Sequence, residues 1–310
     1  MSPNEASSIP YSPSKADLYL PAQRGNFFPP DQSTSEAAVC AEMSRLASRL
    51  DPYFGFDTNK IEKVILRIGF TMVKFFESKG TPNGSGTHCF LAQQEDTLNK
   101  RHLAVLAFRG TDSGDPSDLV DDADLIPKTW ERGGEVHSGF AEALAHVRPD
   151  LDAALQNVSS RILITGHSLG AAMATLMASV LGPSAGSRLS LYTFGSPRVG
   201  NSAFVDTLKG IDNHRYVDCC DLVTRVPPET FGYQHVGDPF YIDSKGNVSF
   251  NPEDAFIARD RIGAAEEYLL NFGWRTGNVA VRELADHAPI NYVRAVAAVG
   301  QQTAAAGKMF

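Results

Sequence analysis

The chain has 310 residues, a formal net charge of −8, and 43% hydrophobic against 21% charged residues. That balance excludes a disordered or fibrous chain, and with no block of Lys or Arg it excludes nucleic-acid binding and a polybasic hold on anionic lipid. A domain of this size buries about three quarters of its unfolded surface, so one large core is expected.

The opening residues MSPNEASSIPYSPSK have neither the basic start nor the apolar stretch of a secretory signal. The expected location is therefore cytoplasmic, with secretion by a signal-less route as the alternative. Four cysteines, Cys40, Cys89, Cys219 and Cys220, two of them adjacent, offer no disulfide framework and read as buried free thiols. Residues 1–34 are rich in Pro and Ser but carry Tyr11, Tyr19, Leu20, Phe27 and Phe28, which predicts an extended arm packed on the main domain.

Thr34 and Ser35 precede Glu36 and apolar residues at Ala37, Cys40, Met43, Leu46 and Leu50, the spacing of a capped helix. Segments 64–77 and 87–94 flank a turn-rich stretch and predict a strand pair. Residues 103–108, LAVLAF, read as a strand buried on both faces, 138–156 as a helix, and 161–165, RILIT, as a second buried strand. Strands at 189–194 and 215–217 follow, with a helix at 201–208 between them. A short hairpin around Ser244–Asn247 and a helix from Pro289 end the chain. Alternating strands and helices predict an α/β fold with a mostly parallel central sheet and helices on both faces, built as one domain over residues 35–310. No apolar run is long enough for a transmembrane segment.

Gly166-His167-Ser168-Leu169-Gly170 matches the G-x-S-x-G elbow, here at a predicted strand end and helix start, which marks Ser168 as a candidate nucleophile. The plainer reading is a Gly-rich turn with a capping serine. A serine hydroxyl needs an imidazole to take its proton and a carboxylate to orient that imidazole. Among the histidines only His214, His235 and His287 follow Ser168. His287 lies in a polar loop before a Pro-started helix and is the favoured base, while His214 and His235 read as structural. Asp221, ahead of a rigid Val-Pro-Pro turn, is the favoured acid and Asp218 its alternative; Asp286 reads as a solvated neighbour.

Together with GHSLGAA, the segments FRGT at 108–111, HSGF at 137–140, YTFGSPRVGN at 192–201 and DLVTRVPP at 221–228 make the chain resemble the fungal-type triacylglycerol lipases, or class 3 lipases, of the α/β-hydrolase superfamily. The resemblance covers residues 60–295. It implies an α/β-hydrolase fold, an oxyanion hole at Thr111 and the Leu169 amide, a structural role for His235, and no metal or organic cofactor. It also implies a lid over residues 112–130, with Leu119, Val120, Leu125 and Ile126 as its apolar, substrate-facing side and a transient contact with lipid; the alternative is an acidic surface loop. Three departures stand out: Ala171 in place of a second glycine, a lid without the tryptophan that commonly precedes its Asp-Leu pair, and Ile290 where an aromatic is expected.

The expected function is a serine carboxylic-ester hydrolase, a triacylglycerol lipase working through an acyl-enzyme on Ser168. Alternatives within the chemistry are a phospholipase A1, a short-chain or feruloyl-type esterase, a polyester-degrading enzyme, and an exported effector that attacks membranes. Outside it, the alternative is a silent binding module that keeps the fold.

Overall fold

The computed structural model describes residues 9–21, 25, 35–48, 50–51, 55–78, 86–96, 101–110, 126–156, 158 and 160–306. Its centre is an eight-stranded sheet in the order Val248–Phe250, Pro239–Ile242, Asp212–Asp218, Leu189–Phe194, Arg161–His167, Arg101–Phe108, His88–Asp96, Phe70–Glu77. The five strands from Pro239–Ile242 to Arg101–Phe108 are mutually parallel, and antiparallel pairs close both edges.

The continuous apolar run LAVLAF is explained by burial on both sides. Ala104, Leu106 and Phe108 enter a core under the helices Ser138–Ala145, Arg148–Leu155 and Leu169–Ala185, whereas Val105 and Ala107 enter a second core. That second core is closed by Glu36–Ala47, Thr58–Leu66 and Pro289–Ala306. Side chains alternate across a strand, so such a strand must be apolar at every position. The predicted α/β architecture with helices on both faces is present. The stretch Leu169–Arg188 is long and apolar enough to cross a membrane, but its first turns lie in the first core.

Several boundaries differ from the expectation for local reasons. Residues 64–66 belong to the helix Thr58–Leu66, capped by the Asp57 carboxylate on the Lys60 amide, and bury Ile61, Val64 and Ile65 at helical spacing. The strand begins only at Phe70, after Gly69 turns the chain at φ +80°. The helix expected over 138–156 is two, because Pro149 starts a new helix, Arg148–Leu155, where its missing N–H costs nothing. The expected N-terminal arm is not extended throughout: Ser14 caps a short helix, Lys15–Tyr19. Pro21 and Gly25 carbonyls accept hydrogen bonds from Arg45, at 2.5 and 2.9 Å.

Candidate active site

The strand Arg161–His167 passes into the helix Leu169–Ala185 through Ser168, held at φ 59°, ψ −130°. A side chain in this region carries strain on the order of 1–3 kcal/mol, tolerated because the surroundings over-determine it. Ser168 donates its amide to Phe194 O at 3.0 Å and its carbonyl accepts from Ala171 N at 2.9 Å. The turn is tight enough to require its glycines. A Cβ on Gly166 would lie 2.2 Å from Gly170 O, and one on Gly170 would lie 2.5 Å from Phe108 O.

At the carboxyl edge of the sheet three predicted side chains converge. His287 Nε2 lies 2.9 Å from Ser168 Oγ, and His287 Nδ1 lies 2.9 and 3.0 Å from the two Asp221 oxygens. All three are withdrawn from solvent, with relative exposures of 5% for Ser168, 2% for His287 and 0% for Asp221. Asp221 also accepts from Val223 N at 2.9 Å and from the Tyr292 hydroxyl at 2.5 Å. Burial alone would raise its pKa, but the charge and hydrogen bond of His287, with the Tyr292 hydroxyl, outweigh it and hold the carboxyl below its ordinary value. A carboxylate kept ionised on Nδ1 leaves Nε2 free to accept the Ser168 proton.

The other candidates are elsewhere. Asp218 accepts from Cys219 N at 2.8 Å, and burial with the nearby Asp286 charge pushes its carboxyl well up. His214 pairs with Asp212 at 2.9 Å and stacks on Tyr192. His235 is hydrogen-bonded to Thr224 O at 2.7 Å, and burial holds its pKa well down. His167 lies against His287, ring centroids 4.5 Å apart, with Nε2 2.8 Å from His287 O; burial lowers its pKa to about 3, so it stays neutral.

Asp286 is not the solvated neighbour expected of it. It is fully buried, ion-paired to Arg282 at 3.1 Å and hydrogen-bonded by the Tyr11 hydroxyl at 2.7 Å. Arg282, one helical turn before it, and Tyr11, 275 residues away, hold it inside. Two thiols, Cys219 and Cys220, approach Asp286 closely enough to resemble a metal-donor set, but the carboxylate is already engaged by Arg282, Tyr11 and Cys220 N.

Leu169 begins its helix, where the first N–H groups have no intrahelical acceptor. Thr111, Leu119, Val120 and Leu125 lie outside the described residues. Ile126 is 58% exposed, and its carbonyl accepts from Ser138 N at 3.0 Å. Just beyond it, Pro127–Thr129 pairs with Glu135–His137, and Trp130 Nε1 donates to Ser179 Oγ at 2.8 Å.

Two residues of the site escaped the sequence reading. Tyr292 stands on the helix Pro289–Ala306, and nothing in its local sequence marks it. Gly195, within the YTFGSPRVGN segment, turns at φ +59°; a Cβ there would meet Asp221 Oδ2 at 2.8 Å and His287 Nδ1 at 3.1 Å.

Residues 105–231 match the family model described as Lipase (class 3). The chain is 34% identical over 173 residues to a secreted mono- and diacylglycerol lipase of Fusarium solani, covering 53% of this chain and 49% of that protein. It is 36% identical over 151 residues to a lipase of Rhizomucor miehei, covering 44% and 41%. The chain thus spans about half the length of these relatives or less. Among solved structures, the lipase of Rhizopus microsporus var. chinensis superposes with a TM-score of 0.52 at 28% identity, covering 70% of this chain and 81% of that one. A triacylglycerol lipase whose catalytic centre is described as a serine protease triad superposes with a TM-score of 0.52 at 26% identity, covering 69% and 80%.

The cytoplasmic expectation is overturned by these matches: the Fusarium solani and Penicillium cyclopium relatives are named as secreted. The four free thiols do not argue otherwise, because all are buried and report burial, not compartment. Motifs, sheet and matched segment agree: the chain has the α/β-hydrolase fold and, over residues 105–231, is similar to the class 3 lipases.

Proposed function

We propose that the protein is a serine carboxylic-ester hydrolase acting on lipid esters, a triacylglycerol lipase in its main activity. The observation that carries the reading is the unbroken chain of hydrogen-bond distances from Ser168 Oγ through His287 to Asp221. In this reading His287 takes the Ser168 proton as Oγ attacks the ester carbonyl. It then gives that proton to the leaving alcohol as the tetrahedral adduct collapses to an acyl-enzyme. A water deprotonated by the same imidazole releases the fatty acid. The Leu169 amide, at a helix start, and Thr111 are assigned to the oxyanion, each donor of this kind contributing ~10²-fold or more.

Of the expected lid 112–130, residues 127–130 are fixed by strand pairing and by Trp130, so the lid is assigned to 112–126, with Leu119, Val120, Leu125 and Ile126 toward acyl chain and lipid surface. The exposure of Ile126 beside the pinned Pro127–Trp130 segment supports a hinge there. Residues 35–310 are read as one catalytic domain and 1–34 as an arm upon it.

The test compares wild type and Ser168→Ala on p-nitrophenyl esters of increasing chain length, emulsified triglyceride and phospholipid. Ser168-dependent hydrolysis that rises on long chains and on triglyceride emulsion supports the lipase. Preference for phospholipid, or for two- to four-carbon esters, replaces it with a phospholipase A1 or an esterase. Hydrolysis undiminished in Ser168→Ala refutes the nucleophile.

A further inference from the structure

The acid and base of the site stand on two separate loops, and one buried carboxylate joins them. Asp286 immediately precedes His287, and its Oδ2 accepts the amide of Cys220, the residue before Asp221, at 3.0 Å. A second link, Leu222 N to Glu283 O at 3.1 Å, runs parallel to it. Arg282 holds both Asp286 oxygens at 3.1 and 3.2 Å, and anchors itself on Ser244 O at 3.0 Å.

The N-terminal arm completes this arrangement. The Tyr11 hydroxyl donates to Asp286 Oδ1 at 2.7 Å, and the Tyr11 ring lies under the Arg282 guanidinium, 5.2 Å from its centroid. One residue on, Ser12 and Asn291 exchange two hydrogen bonds of 2.9 Å, and Asn291 Nδ2 also donates to Ala285 O at 3.0 Å. Val279 N to Pro13 O at 2.8 Å and Lys15 N to Gly277 O at 2.9 Å fasten the arm on the near side. Residues 284–288 are thus gripped from both flanks by a segment more than 260 residues away in sequence.

A buried ion pair is weak evidence for stability, since desolvation offsets much of the attraction, so its placement asks for another role. Here every oxygen of the carboxylate is aimed at a backbone or side chain that sets where Asp221 and His287 stand. We infer that Asp286 is a positioning residue for the proposed hydrolysis, fixing the distance between acid and base, and that Tyr11 of the N-terminal arm holds Asp286 in that role. The inference rests on the Ser168–His287–Asp221 reading. It makes the arm a working part of the active centre.

The experiment uses the full chain and three variants. Asp286→Asn keeps the shape but sets an amide donor against Tyr11, Cys220 N or Arg282. Tyr11→Phe keeps the ring and removes only the hydroxyl. Leu151→Ala, in a core helix at the opposite sheet edge, supplies a loss of stability without touching either loop. For each, kcat and KM on a soluble ester, the rate at which a fluorophosphonate modifies Ser168, and the melting temperature are measured, with kinetics well below the melting point.

A base displaced by a fraction of an ångström weakens the transition state and not substrate binding. Asp286→Asn is expected to lose about tenfold or more in kcat and in fluorophosphonate rate, with KM within about twofold. Tyr11→Phe is expected to move the same way by a smaller factor. Leu151→Ala is expected to lower the melting temperature and keep wild-type kcat. Wild-type kcat in Tyr11→Phe and Asp286→Asn, whatever their melting points, overturns the inference; if Asp286→Asn does not fold, Tyr11→Phe decides alone. A wild type that neither hydrolyses esters nor reacts with the probe overturns the hydrolase reading itself, and this inference with it.

Discussion

Tyr292 donates its hydroxyl to Asp221 Oδ2 at 2.5 Å while accepting the Asp218 amide at 3.1 Å, so one phenol spans the acid and the strand end that carries it. The carboxylate therefore meets His287 already oriented. Removing the hydroxyl leaves Asp221 with one donor fewer and the Asp218 N–H without its acceptor. Tyr292→Phe should lower kcat by about tenfold, the worth of one hydrogen bond to a charged group, and cost about 1–3 kcal/mol of stability. Steady-state kinetics and urea unfolding check both; an unchanged kcat would show that His287 and Val223 N suffice.

Ser168 holds a strained backbone, and glycine adopts φ 59° without penalty. Ser168→Gly should be more stable than Ser168→Ala by about 1 kcal/mol, with both inactive. Matched thermal unfolding measures the difference, and equal stabilities would mean the elbow stores no strain.

Gly195 leaves the space in which Asp221 and His287 meet. A methyl group there lies 2.8 Å from Asp221 Oδ2 and also requires a positive φ. Gly195→Ala should reduce kcat by ~10²-fold, the scale of an ångström of misplacement, with the protein still folded. Circular dichroism alongside ester hydrolysis checks this, and near-normal turnover would place the clash elsewhere.

Asp218 was the alternative acid and carries a raised pKa, from burial first and the Asp286 charge second. Its folded value exceeds its unfolded one, so the folded state keeps a proton that the unfolded state releases. That contribution is complete below about pH 4 and is lost as pH rises through the folded value. Asp218→Asn mimics the protonated form and cannot titrate. Its melting temperature relative to wild type should rise from pH 4 upward, and its kcat should stay within a few-fold of wild type. A flat difference across pH, or a collapse of kcat, would contradict this placement.

Much of this protein is local and was therefore readable from its sequence. The run LAVLAF is apolar at every position because alternate side chains enter two cores, and that pattern alone implies a strand covered by helices on both faces. The elbow around Ser168 is likewise local, since strand, glycine turn and helix occupy consecutive residues. Asp221 and His287 are candidates by chain order and by loop residues rather than by any direct sign of proximity.

What local pattern does not contain is which distant groups become neighbours. Asp286 looks like any loop carboxylate until Arg282, Cys220 and Tyr11 close around it, and Tyr292 looks like a core aromatic until its hydroxyl reaches Asp221. Residues 64–66 looked like strand because β-branched content outweighed a helical spacing that only packing against the sheet rewards. Sequence marked the sheet strands and the candidate groups Ser168, Asp221 and His287; tertiary packing decided which polar groups were buried together, because a buried donor or acceptor must be satisfied by whatever the fold brings beside it.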